Sequence, residues 1–223
     1  MNKSILLATV VGSLITNTVT ADYTGLDYTA IDNGDGTWTA RIFAEFSAPT
    51  DELHWVFGDS SDDLFITSTN GFYQHPAGGA TSAGINPAWW YILPSMQLDS
   101  FVTIQGVDSS ILNLGVDDIG IDWDDFELNG GDIFTDNGGW FAGADDPSVI
   151  AGADLRVMVG QFTMFGLDSS VSGSINLWGL TQQWDGTTLS YYERGQAFSF
   201  SLPTPSALAL LGIAGVISPR RRR

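Results

Sequence analysis

From residue 22 onward, apolar and polar residues alternate in short runs broken by clusters of Gly, Asp, Asn and Ser, and no long stretch carries a 3.6-residue period. The clearest run, residues 37–46, sets Trp38, Ala40, Ile42, Ala44 and Phe46 on one face and Thr37, Thr39, Arg41 and Glu45 on the other, with Phe43 as the apolar exception. Just before it, Asp32, Asn33, Gly34, Asp35 and Gly36 tolerate positive φ, which predicts a hairpin pairing residues 23–31 with 37–46. Further strands are predicted at 53–57, 64–68, 100–107, 116–122, 155–164, 171–180, 188–192 and 196–202, with an Asp185-Gly186 turn ahead of residue 188. About ten short strands with turn-rich joints predict an all-β fold, an antiparallel β-sandwich of jelly-roll-like kind. The longest irregular stretch, residues 74–95, is rich in Gly, Ala and Pro and carries Trp89, Trp90 and Tyr91.

Both ends depart from this pattern. Lys3 is the only charge before Asp22, an apolar run covers residues 5–15, and Val19-Thr20-Ala21 closes the segment. A charged start, a short apolar helix and small residues at the end form a secretory signal, with cleavage expected between Ala21 and Asp22. At the other end Pro203, Thr204 and Pro205 precede an uncharged apolar run at 207–217, and Arg220, Arg221, Arg222 and Arg223 finish the chain. As a helix, about 11 residues at 1.5 Å each reach roughly 16 Å, about half of a hydrocarbon core, so the segment is a marginal, transient anchor. The arginines hold its end on the cytoplasmic side. A Pro-x-Pro turn, a Gly/Ala/Leu-rich short helix and a terminal Arg cluster resemble the PEP-CTERM tails of exported bacterial proteins, with Thr204 standing where Glu is commonest. The resemblance implies an exosortase-type processing enzyme as partner, transient membrane insertion, and a cell-surface or extracellular-matrix address. The expected organisation is a signal helix at 1–21, one β-sandwich domain at 22–202 and a sorting tail with a short hydrophobic helix at 203–223.

Removing the ends changes the charge. All 26 acidic residues lie between Asp22 and Glu193, whereas only Arg41, Arg156 and Arg194 of the eight basic residues remain, a net charge near −23 in place of −18. Such a surface repels nucleic acid and anionic lipid. Cysteine is absent, which excludes disulfides, thiol catalysis and thiolate-bound metals.

The densest acidic segment, Asp117, Asp118, Asp122, Asp124, Asp125 and Glu127, has the oxygens that a calcium ion takes, so calcium is a candidate ligand there, with no cofactor established. A solvated strand end and loop would have the same composition. The turn at 32–36 does not match a calcium loop, because Ile31 and Ile42 stand where ligands belong. Trp89, Trp90 and Tyr91, together with Trp123, Trp140, Trp178 and Trp184, are candidates for a platform that stacks on sugar rings, against the alternative of core packing. If extended, Trp89 and Trp90 point to opposite faces, leaving one exposed. No pair of carboxylates is singled out for glycoside hydrolysis, and His54 and His75 share no metal-ligand spacing.

The middle of the chain, residues 119–123 and 132–141, resembles uncharacterised exported proteins with similar tails in planctomycete-type bacteria, a family that implies no activity for these residues. The reading is therefore an exported, non-enzymatic surface or matrix protein in contact with exopolysaccharide or other surface proteins. The alternatives are a carbohydrate-binding module or glycan-active enzyme, and a calcium-dependent adhesion domain.

Overall fold

A computed structural model describes residues 22–106, 112–183 and 185–202. The signal segment, with Ala21, and the sorting tail, with its arginines, lie outside the described residues, as do both expected flanking helices. Among the described residues no helix is long and apolar enough to cross a membrane.

The chain forms two antiparallel sheets that face one another across a single core. The smaller sheet contains β1 (Tyr23–Asp32), β2 (Thr37–Phe46), β9 (Arg156–Phe165) and β5 (Phe101–Gln105), in that order. In the larger sheet, β10 (Ser170–Gln182) pairs along one side with β11 (Thr188–Ser201). Its other side pairs with β4 (Leu64–Ser68) along the first half and β3 (Glu52–Gly58) along the second. Beyond them lie β7 (Ile133–Thr135) on β4 and β8 (Gly138–Phe141) on β3, with β6 (Asp117–Ile119) at the edge beside β8. β3 and β4 thus act as one strand interrupted at residues 59–63, where Asn176 Nδ2 donates to the Asp62 carbonyl at 2.7 Å and Arg194 pairs with Asp59 at 2.6 Å. At the break, Gly58 leaves no room for a Cβ against the Thr135 carbonyl.

The expected hairpin forms with Asp32 opposite Trp38, and Asp35 accepts hydrogen bonds from the Thr37 amide and hydroxyl. All five residues of the apolar face of β2 are buried. Its polar face is covered too, which alternation did not predict: Thr39 and Thr163 share a hydrogen bond of 2.7 Å, and Arg156 lies over the Phe43 ring. The cover is the irregular stretch after β4, whose Gln97 and Asp99 carbonyls both accept from Gln161 Nε2 at 2.9 Å. Two of its three short 3-10 turns begin at proline, where a missing N–H costs nothing.

Several elements differ from the sequence expectation, among them β6, which ends at Ile119 and not at residue 122. Residues 188–192 and 196–202 form one strand, because a bulge opposite Ile175 and Leu177 absorbs Arg194 and Gly195. The strands β7, Ile-Phe-Thr, and β8, Gly-Gly-Trp-Phe, are too short to show alternation. A six-residue helix, α1 (Asp124–Asn129), sits inside the acidic run and closes on Gly130 in the left-handed region. In β9 a bulge at Gly160 returns Phe162 and Met164 to the core side shared by Val157 and Val159.

Candidate functional site

The outer face of the larger sheet carries an aromatic row set by strand register. Tyr192 on β11 lies opposite Trp178 on β10, Trp178 opposite Trp55 on β3, and Trp55 opposite Phe141 on β8, with Asp117 of β6 at the end. Residues directly opposite one another share a face, so four aromatic rings from four neighbouring strands line up across the sheet. Ring centroids are 6.2 Å apart for Trp178 and Tyr192 and again for Trp55 and Phe141. Tyr192 is 61% exposed and Trp55 36%. Phe57, buried two residues along β3, packs beside Trp55 at 5.4 Å. A second, shorter row on the same face runs from Ser174 through Phe65 to Phe134, both phenylalanines being exposed.

A bulge in β3 makes the row possible. The register shifts between Trp55 and Leu53, so Leu53 and Val56 both reach the core while Trp55 stays outside. The extra residue, His54, is buried with Nε2 at 2.8 Å from Glu52, and its ring lies 5.5 Å from that of Trp178. His54, Trp55, Ile119, Phe141, Ala142 and Trp178 enclose an open groove of about 320 Å³. Its walls are apolar, and the indole N–H of Trp178 is buried without a partner. Exposed π faces of this kind match the CH faces of sugar rings.

The predicted aromatic candidates divide. Trp178 stands in the row, whereas Trp140 is a core residue whose Nε1 donates to the Thr103 carbonyl at 3.0 Å. Trp123 is half-buried, with Nε1 donating to Asp118 at 2.9 Å. Trp184 lies outside the described residues. Trp89 and Tyr91 are exposed, at 49% and 95%, while Trp90 turns inward toward Arg41 and Gln161. These three neighbours sit at a 3-10 turn in the cover segment rather than on an extended strand, and they take no part in the row.

The six acidic candidates are not brought together. Asp117 and Asp118 are on edge strand β6, Asp122 accepts from the Asp124 amide, Asp125 accepts from Asn129 Nδ2 at 2.8 Å, and Glu127 faces the opposite way into a cleft. Among the described residues no group of three or more His, Asp or Glu side chains is placed to hold a metal ion. The physical reason is α1, which winds residues 124–129 around an axis and disperses carboxylates that are neighbours in sequence.

That cleft was not legible beforehand. Phe72, Gln74, His75, Glu127, Asn129 and Phe165 are among its lining, and it measures about 520 Å³. Behind it Asp99 is fully buried, accepting from the His75 amide at 2.6 Å and the Gly79 amide at 3.1 Å. Burial pushes the Asp99 carboxyl up to about 6 despite those two donors. Burial, reinforced by the charge of Asp99, pushes Glu127 up to about 7. Comparison of the chain with protein-family models, curated proteins and solved structures finds no match to any of them.

Proposed function

We propose that this chain is an exported, non-enzymatic surface or matrix protein that holds neutral polysaccharide on the outer face of its larger sheet. The observation that carries the reading is the register-aligned row of Tyr192, Trp178, Trp55 and Phe141. Strands repeat every ~4.8 Å, so rings on successive strands offer a series of stacking positions along a straight line, as an extended glycan requires. Neutral chains are favoured because a net charge near −23 between residues 22 and 202 repels acidic polysaccharides. A signal at 1–21 and a tail at 203–223 processed by an exosortase-type enzyme would deliver the domain to the matrix that holds such glycans.

The test is retention of the purified domain by insoluble cellulose, chitin and curdlan, with alginate as the acidic comparison. Retention by at least one neutral glycan is expected, together with quenching of tryptophan emission. Stacking on an aromatic ring contributes about 0.5–1.5 kcal/mol, so Trp55→Ala with Trp178→Ala should weaken retention at least ~5-fold while the far-ultraviolet spectrum is preserved. Equal retention of the double variant, or none of the parent on any neutral glycan, would rule the reading out. For the address, truncation after Leu202 should abolish a membrane-associated precursor that the full chain shows on cell fractionation. An unchanged precursor would remove the anchoring role of the tail.

A further inference from the structure

We infer that the cleft between residues 74–76 and helix α1 binds the primary ammonium group of a small amino sugar, with Glu127 and Gln74 as its acceptors. The site shares no residue with the aromatic row and stands or falls separately from it. Three polar atoms at this cleft are buried with no partner: Glu127 Oε1, Gln74 Oε1 and Gln74 Nε2. A buried polar atom without a partner carries a desolvation cost, which a ligand donor relieves at the two oxygens and a ligand hydroxyl relieves at the Gln74 amide nitrogen.

The missing partner is cationic. No lysine or arginine is among the residues that line the cleft, and Asp99 lies behind Glu127 as a second carboxyl that faces His75. An ammonium group carries three donors, which suits two unpaired oxygens, and Phe165, 46% exposed, puts an aromatic ring at the rim. His75 Nδ1 accepts from the Ala77 amide at 3.1 Å, so the neutral ring carries its proton on Nε2 as a hydroxyl donor. Asn129 adds an amide at the rim. A cleft of about 520 Å³ edged by an imidazole and an amide is broader and more polar than an alkyl side chain needs, which favours a sugar over a lysine side chain.

Binding has a defined pH dependence. The groups around Glu127 are Asp99 and His75 from the cover segment, and Asp124 and Asp125 on its own helix. An ammonium ligand needs the ionised carboxylate, and with Glu127 titrating at about 7 the ionised fraction rises about tenfold between pH 6 and 8.

The experiment is calorimetric titration of the folded domain with 6-amino-6-deoxyglucose, glucose and Nα-acetyl-lysine amide. The amino sugar should bind at least about tenfold more tightly than glucose, which differs only in bearing a hydroxyl at the same carbon. Its affinity should rise about tenfold from pH 6 to pH 8, be lost in the isosteric Glu127→Gln, and survive in Trp55→Ala. Equal binding of glucose would overturn the ammonium assignment, tighter binding of the lysine amide would overturn the sugar, and no binding of any of the three would overturn the site.

Discussion

Trp140→Ala is expected to remove about 3–5 kcal/mol of folding stability, the range for truncating a large buried aromatic. Trp140 is fully buried on β8 of the larger sheet, and its indole N–H reaches the Thr103 carbonyl on β5 of the smaller sheet at 3.0 Å. One side chain therefore fills the core and ties its two layers together. Truncation opens a cavity between rigid sheets that cannot close on it, and it leaves a buried carbonyl unpaired, which adds about 1–3 kcal/mol if water does not enter. Against a typical total of 5–15 kcal/mol, this is a large share. Equilibrium unfolding in urea measures it. Trp140→Phe should recover most of the packing and retain only the hydrogen-bond deficit of about 1 kcal/mol. A loss below about 1.5 kcal/mol for the alanine variant would show that the two sheets collapse onto the gap.

The second large effect is on pH. Asp99 and Glu127 have folded-state values raised from 3.8 to about 6 and from 4.5 to about 7. A raised carboxyl favours the folded state while it is protonated, so its contribution is complete below the unfolded value and is lost as pH rises through the folded one. Stability should therefore fall between about pH 4 and pH 8, the reverse of ordinary acid denaturation. For fully buried Asp99 a shift from 3.8 to about 6 corresponds to on the order of 2–3 kcal/mol. Glu127 is partly solvated and adds less. Burial raises Asp51 in the same direction. The exposed turn carboxylates Asp35, Asp59 and Asp185 are lowered by hydrogen bonds from their own turns and act in the opposite sense, at pH values below this window.

Urea midpoints at pH 5 and pH 8 provide the measurement, with Asp99→Asn as the control. The variant should be less stable at pH 5, since an amide cannot accept from both His75 and Gly79 as the carboxyl does, yet its profile should be flatter. General repulsion among the acidic groups acts in the same direction with rising pH, but salt screens it and leaves the Asp99 component in place. An Asp99→Asn slope equal to that of the parent would assign the whole effect to surface repulsion.

The strands that alternation shows most clearly, β1 to β4 and β10, lie within two residues of their expected places, because a half-buried strand writes its two faces into the chain. Shorter elements leave too little text. Three residues of β7 and four of β8 cannot establish a period, and six residues of α1 complete less than two turns. Bulges hide structure in another way, since each inserted residue breaks the parity on which alternation rests. Both faces of β2 are buried because a distant irregular segment folds back over one of them, a contact between residues that no local pattern links.

The candidate sites follow the same division. Acidity, the absence of cysteine, the apolar ends and the all-β patterning are sums or local periods, and the sequence alone determines them. The row of Tyr192, Trp178, Trp55 and Phe141 draws on four separated strands, and only their pairing registers bring the rings into line. The same holds for Glu127, one of six acidic neighbours in the sequence: α1 turns it away from them and the cover segment sets buried Asp99 behind it. A carboxyl's chemistry depends on solvation and nearby charge in three dimensions, which the tertiary structure decides.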